Sequence, residues 1–490
     1  MMARMNEPVA QPAAQPAAQP AAQDATEPAR QYWILAGILV LSLAIRIALA
    51  MNVDAVEPRN DEREYLGLAA GILSRGEYLS LFRPPGMAAF IAGVIKLGAD
   101  LETFRIVQSC MSVASVFLVW LITRVNISAR TALWAAALVA FDPVQIGFSH
   151  LLWSETLFIF LMLAVMAVLL TPFEISSRWR WPVAGLLLGV AGLTRPVILS
   201  VAPLLVLIVF LVGRREAGSW SGIWPVRVRA MILMAVMAFA VVLPWTAHNY
   251  RVSNALILVD TNGTFNFLLG TDPAAMFHDK DDEWSQGWAN VDGVPYPHMI
   301  NADPVRIQRR ALRIGAGYVA SDPLRYLAST LFEGAQLWTL DNFPLRHLRN
   351  DWYGPDVPGW MIPLTVLSSA VLSALIIGLG WIGLLAMPRG NLRTGLLLLT
   401  LHSTILHTLL YALSRYQVPM RPLLAIGAAC VLANPRACID VLVSARRPTR
   451  RGWVALLIAV VLLVIWSREL PMLVDMLRTG GVNHRFVQLP

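Results

Sequence analysis

The chain has 490 residues, 57% of them hydrophobic and 14% charged, with a mean hydropathy of +0.58. Soluble globular domains carry about 25% charged residues, so this balance excludes an ordinary soluble domain and points to a membrane protein. The formal net charge of +8 comes almost wholly from arginines standing between apolar runs, since Lys96 and Lys280 are the only lysines; that placement reads as topology signal and headgroup contact and argues against nucleic acid as a partner.

Residues 1–30 are rich in Pro, Ala and Gln, cannot bury a core, and read as a disordered cytoplasmic tail. Eleven apolar runs then follow, at 32–51, 103–123, 130–147, 151–170, 181–193 (short), 197–213, 229–246, 360–387, 393–413, 417–433 and 452–467. A twelfth run, 84–97, is shorter and begins with two prolines. Charge decides whether it crosses. If it does not, Arg124, Arg130, Arg178, Arg180, Arg214, Arg215, Arg227, Arg229, Arg389, Arg393, Arg436, Arg446, Arg447, Arg450 and Arg451 all fall on the inner side. If it does, every later cluster inverts. The run 84–97 therefore reads as a half-inserted helix on the outer side, beside a wet cavity. The implied organisation is an N-terminal transmembrane module over 31–246 with an outer loop at 52–102, an outer segment over 247–359, C-terminal transmembrane helices over 360–467 and an outer tail over 468–490.

In the first outer loop, Tyr65, Leu68, Ala69 and Ile72 recur at helical spacing after Asp61. Asp61 and Glu64 have capping-box spacing, and the local sequence favours a cap at Asp61. A general base is the second reading, because a helix N-terminus favours the ionised carboxylate that a base requires. Arg83, in FRPPG, snorkels to headgroups or clamps a lipid phosphate. Asp142 in FDP and Glu155 in SETLF flank the next outer turn, where an ionisable group is either water-exposed or functional. Arg195 in GLTRP ends its span; with Arg46, Arg83 and Arg105 it snorkels or lines one anionic pocket. His248 and Arg251 close the seventh span, and Asn262-Gly263 is a turn signal with strand-like residues either side. The run 278–283 (HDKDDE) reads as a solvated loop without the ordered spacing of a calcium site. Asp303-Pro304 and Asp322-Pro323 each start a helix, over 305–320 and 324–340. His402 and His407 lie within the ninth span, buried or lining the cavity; Arg415 and Tyr416, in SRYQVP, add a phosphate-type donor pair at its outer mouth. Cys110, Cys430 and Cys438 show neither disulfide nor metal spacing.

This ordered set (Asp61 with Tyr65, FRPPG, FDP with SETLF, GLTRP, PWTAHNY with TNGTFNFLLG, and SRYQVP) resembles the bacterial glycosyltransferase family 39 group of the GT-C superfamily, whose relatives include the protein O-mannosyltransferases and the lipid A aminoarabinose transferases. The resemblance covers about 32–433 and implies an all-α polytopic GT-C-like bundle of about 11 transmembrane helices, with juxtamembrane helices in the first outer loop and a small, mainly helical periplasmic segment. It also implies an inverting transfer from a polyprenyl-phosphate sugar to a hydroxyl on a glycolipid, glycan or protein, at the periplasmic face of a bacterial inner membrane. It makes Asp61 the base and matches Glu155 to a second acidic position. Arg83, Arg195, His248, Arg251, Arg415 and Tyr416 become candidate donor-phosphate ligands, supported by Tyr65, Asp142, Asn262 and Asn266. The aminoarabinose transferases carry a Lys near the start of their half-helix, where this chain has Arg83-Pro84-Pro85, as other members do. No metal or cofactor is required by the scheme. The competing readings are a transporter or flippase of lipid-linked sugars, against which no internal repeat is seen, and a catalytically silent scaffold.

Overall fold

A computed structural model describes residues 26–52, 58, 61–171, 177–201, 224–273, 290–291, 294–295, 304–340, 343–349, 358–444 and 447–479. Expectations for the N-terminal tail, most of the run 197–213, the HDKDDE run, Asp303 and residues 480–490 fall outside these residues. The architecture is all-α; the described strands are two-residue ladders, Asn290–Val291 with Val294–Pro295 and Val443–Ser444 with Arg447–Pro448.

The first half comprises α1 (Thr26–Asn52), α2 (Asp61–Arg75), α3 (Gly86–Lys96), α4 (Leu101–Asn126), α5 (Ala129–Ala140), α6 (Pro143–Phe148), α7 (Glu155–Leu170), α8 (Ser177–Thr194) and α9 (Trp224–Ser253). Local chemistry sets most of the ends. Asp100 and Ser128 cap α4 and α5, accepting from the amides of Thr103 at 2.8 Å and Thr131 at 3.2 Å. Gly76, at φ 67°, stops α2. Asp142 caps a new helix with Pro143 in its first turn, so the run expected at 130–147 is broken in two. With 11 residues, α3 is about 16 Å long, half the roughly 30 Å hydrocarbon core, and does not cross it.

The second half comprises α10 (Asn262–Thr271), α11 (Pro304–Ser321), α12 (Pro323–Leu337), α13 (Phe343–Arg349), α14 (Met361–Ala386), α15 (Asn391–Leu410), α16 (Arg421–Ala433), α17 (Pro435–Leu442), α18 (Arg450–Ser467) and α19 (Leu470–Thr479). A π-turn at Ala374–Leu379 interrupts α14, and a 3₁₀ segment, Ser414–Met420, leads into α16. Asp322 caps α12 as its Asp-Pro pair implies, accepting from the Arg325 amide at 2.9 Å. The turn with flanking strand expected around Asn262-Gly263 is instead the start of α10. Phe265, Leu268 and Leu269 are buried at helical spacing there, and their burial against Ile307 and Ala311 of α11 favours the helix.

Among the described residues six helices are long and apolar enough to cross a membrane: Ala29–Asn52, Leu101–Asn126, Val228–Ser253, Met361–Ala386, Ser414–Ala433 and Arg450–Ser467. Shorter apolar helices, α5 and α7 among them, pack between these. Small residues let backbones meet where bundles are tightest. A Cβ at Gly185 would stand 2.3 Å from Met234 O on α9, and one at Gly383 would stand 1.8 Å from Gly427 O on α16. Gly86 does the same for α3: a Cβ there would stand 2.6 Å from Thr194 Oγ1. FRPPG is thereby seated on the end of α8, beside Arg195.

Candidate active site

The site begins in the first turn of α2, which carries Asp61, Glu62 and Glu64. Asp61, Tyr65 and Ala69 share one buried face at four-residue spacing, and Glu62, also buried, accepts from the Leu152 amide at 3.0 Å. The two prolines before α3 have no amide to donate, so the loop is held through their carbonyls and through neighbouring groups. The Tyr78 hydroxyl donates to the carbonyls of Arg83 (2.9 Å) and Pro84 (3.0 Å), Ser80 Oγ accepts from the amides of Phe82 and Arg83, and the Thr261 amide donates to Leu81 O at 2.9 Å. Arg83 therefore projects from a fixed backbone, its guanidinium 5.8 Å from the Tyr65 ring centroid and 5.2 Å from that of Phe82.

From there acids and arginines alternate. Arg83 donates through Nε to Glu64 Oε2 at 2.6 Å and through Nη2 to Asp61 Oδ1 at 2.7 Å. The other oxygen of Asp61 accepts from Arg415 Nη1 at 2.5 Å. Arg415 turns its Nε and Nη2 to the two oxygens of Glu155, the latter at 3.1 Å. Glu155 Oε1 accepts again from Arg195 Nη1 at 2.8 Å. The order is Glu64, Arg83, Asp61, Arg415, Glu155, Arg195: three carboxylates and three guanidinium groups, balanced in charge. Side-chain exposure is 0% for Glu155, 7% for Asp61 and at most 15% for the others. Desolvation of this size is tolerated only where each charge has several partners.

Aromatic rings complete the walls. The Arg415 guanidinium lies 3.8 Å from the centroid of Trp153, which immediately precedes Ser154 and Glu155. Tyr416 stacks on His407 at 4.6 Å and sits 5.9 Å from the Arg195 guanidinium. A small apolar cavity is lined by Phe158, Met162, Val201, Leu399, Met420 and Leu423; His402 stands at its side, its Nε2 paired with Ser200 Oγ at 2.9 Å.

Other candidates lie elsewhere. Asp142 is neither water-exposed nor a member of the six. It is fully buried and bound twice to Arg421, Oδ2 to Nε at 2.6 Å and Oδ1 to Nη2 at 2.7 Å, because its position as the cap of α6 aims it at the start of α16. Arg46, also fully buried, neither snorkels nor joins Arg83. It donates to Ser112 Oγ (2.9 Å), Ser42 Oγ (2.6 Å) and Ala140 O (2.8 Å). Arg105 is buried too, on α4. His248 stacks on Trp245 at 4.8 Å and Arg251 is exposed; among the described residues no ion pair ties either to the six. Asn262 and Asn266 are partly buried on α10, where the Asn262 amide donates to Asp260. Among the described residues no three His, Cys, Asp or Glu side chains gather as a metal site.

Sequence reasoning missed Asp260, Trp153 and the pairing of Glu64. Asp260 is half-buried in a loop fastened to α9: Trp245 Nε1 donates to Val259 O, Thr246 Oγ1 to Leu258 O, and Asn249 Nδ2 to both Ile257 O and Val259 O. Burial pushes its carboxyl up to about 7, against the pull of the Arg83 and Arg195 charges. In sequence it hides in DTNG, which reads as a plain turn.

Residues 82–247 match the family model described as dolichyl-phosphate-mannose-protein mannosyltransferase. The matched third of the chain carries Arg83, Trp153, Glu155 and Arg195; Asp61 and Arg415 lie outside it and join only in space. No curated protein matches the sequence. Among solved structures, similar chains include the oligosaccharyltransferase AglB from Archaeoglobus fulgidus in complex with an inhibitory peptide and a dolichol-phosphate (TM-score 0.44, 17% identity, over 94% of this chain and 57% of that one). The same organism's oligosaccharyltransferase tethered with an acceptor peptide gives a TM-score of 0.46 at 16% identity, over 93% and 56%. ArnT from Cupriavidus metallidurans bound to undecaprenyl phosphate gives 0.38 at 16% identity, over 83% and 77%. The chain thus spans little more than half the length of the archaeal enzyme.

Proposed function

We propose that the protein is an inverting glycosyltransferase of the GT-C type, moving a hexosyl or pentosyl group from a polyprenyl-phosphate donor to an acceptor hydroxyl at the outer face of a bacterial inner membrane. The observation that carries the reading is Asp61 held between Arg83 and Arg415, one on each carboxylate oxygen, at 2.7 and 2.5 Å. A carboxylate fixed among guanidinium groups puts a proton acceptor beside a phosphate site. The outer placement is supported by the arginine-rich loops, which belong on the opposite side.

In this scheme the lipid tail lies in a groove between helices. The donor phosphate competes with Asp61, Glu64 and Glu155 for the N–H donors of Arg83, Arg195 and Arg415, with Tyr416 alongside and His248 and Arg251 at the rim. As those guanidinium groups turn to phosphate, Asp61 is released to take the proton of the acceptor hydroxyl. The acceptor oxygen forms a bond to C1 of the sugar, the C1–O(phosphate) bond breaks on the opposite side, and its electron pair leaves with the lipid phosphate. Inversion at C1 follows from the single displacement. A phosphate is a good leaving group, so the scheme needs fixed positive charge in a partly dry site more than a strong acid. General-base assistance contributes about 10²–10⁴ in rate. Glycolipid, glycan and protein hydroxyls all fit as acceptors.

The test uses purified protein, a labelled polyprenyl-phosphate sugar and an acceptor mixture. Asp61→Asn is expected to abolish transfer while leaving donor binding nearly intact, and Arg415→Ala to weaken binding first. Wild-type turnover by the Asn variant would remove Asp61 as the base. Label that moves across the bilayer without leaving its phosphate would instead identify a transporter.

A further inference from the structure

Helix α12 is built inside out. Its buried side holds Ser329, Thr330 and Glu333, with Leu337 at its end, whereas Leu324, Leu327 and Leu331 are 78%, 58% and 72% exposed. These leucines stand at i, i+3 and i+7, one stripe of a helix, and the exposed Ala328 lies between them. Both charged residues of the helix are turned away from the stripe. Glu333 accepts from the Ala412 amide at 2.6 Å, and the Arg325 guanidinium lies 5.8 Å from the Tyr318 ring of α11 while donating to Tyr318 O. Ser329 Oγ donates to Gly270 O at 3.2 Å. A helix capping a domain in water has the reverse arrangement, with leucines packed inward and polar groups in solvent.

What covers the stripe follows from its neighbour. With 20 residues, α15 is about 30 Å long, the thickness of the hydrocarbon core, and its outward side exposes Leu401, Ile405 and Leu409. Helix α12 is fastened to the end of that apolar face: the Tyr326 hydroxyl donates to Leu409 O at 2.7 Å, and Glu333 holds Ala412. The leucine stripe of α12 continues the exposed apolar face of α15. At 15 residues, about 22 Å, α12 is too short to cross.

We propose that α12 is an interfacial membrane helix whose Leu324–Leu327–Leu331 stripe lies among phospholipid acyl chains, in the leaflet bordering the acid–arginine network. It does not stand in water as part of a periplasmic cap. Because α12 grips residues 409–412, just before Ser414 and Arg415, the lipid contact braces the segment that carries Arg415. The inference does not depend on the transfer reaction.

The full chain, with Cys110, Cys430 and Cys438 replaced by Ser, carries a nitroxide at Leu327→Cys, at Leu331→Cys or, as a control, at Arg309→Cys on the exposed side of α11. Each protein is reconstituted in vesicles of phosphatidylethanolamine and phosphatidylglycerol. Collision rates are measured with oxygen, which partitions into acyl chains, and with a water-soluble nickel chelate. The expected oxygen-to-nickel ratio is several-fold higher at 327 and 331 than at 309. Ratios at 327 and 331 equal to the control would place the stripe in water. Low collision with both reagents would mean that protein covers it, as in contact with a second copy. Either result overturns the proposal.

Discussion

Arg415 joins both halves of the network: it meets two carboxylates and the face of Trp153. Removing one member of such a buried set leaves an uncompensated charge, at a cost of about 3–5 kcal/mol, so binding losses in Arg variants should be read beside a stability measurement. Asp260 gives a separate pH signature. Its folded-state pKa of about 7 lies above the unfolded value of about 3.9, so the folded state holds this proton more tightly. The stability it contributes is complete below pH 4 and is lost as pH rises through 7. Asp260→Asn should remove that part of the pH dependence, giving a higher Tm than wild type at pH 8 and a matching one at pH 4. Parallel Tm-against-pH curves would contradict the assignment. Arg83, Glu155, Arg195 and Arg415 stood out in sequence because each is an ionisable group at the end of an apolar run, where a charge is costly, whereas Asp61 read locally as a helix cap and was favoured as a base only through the family resemblance. Asp260 did not stand out, because nothing local marks a turn residue as half-buried beside two arginines.

Element boundaries divide in the same way. Those set by a cap or a proline were readable, as at Asp322-Pro323. The break between α5 and α6 was missed because hydrophobicity runs through it, although Asp142-Pro143 supplies both the cap and the helix-starting proline. The pairing of elements leaves fainter marks, and glycine is one. Gly383 and Gly427 bring α14 and α16 together so closely that no side chain fits between them. Gly383→Ala is expected to destabilise the protein by about 1–3 kcal/mol, the usual cost of overpacking, seen as a lower Tm in detergent. Gly395→Ala is the control, since a Cβ there meets nothing within 4 Å. Equal Tm values for the two variants would mean that the helices separate readily.

The whole molecule is a polytopic helical bundle, and the proposed topology puts its acid–arginine network at the outer membrane edge and its arginine-rich loops at the inner one. In intact cells an impermeant maleimide should label Leu256→Cys, exposed in the loop after α9, and should reach Arg389→Cys only after permeabilisation; the opposite pattern would invert the topology. Sequence by itself determined that the chain is helical and membrane-bound, and which charged residues stand at the ends of apolar runs. These properties are summed over some 20 consecutive residues, and a bilayer reads them segment by segment. Only the tertiary structure decided which ends meet. Asp61 and Arg415 are 354 positions apart, and Asp142, as much a membrane-edge acid as Glu155, turns instead to Arg421. Such pairings depend on how helices distant in sequence pack side by side, and no local pattern encodes that.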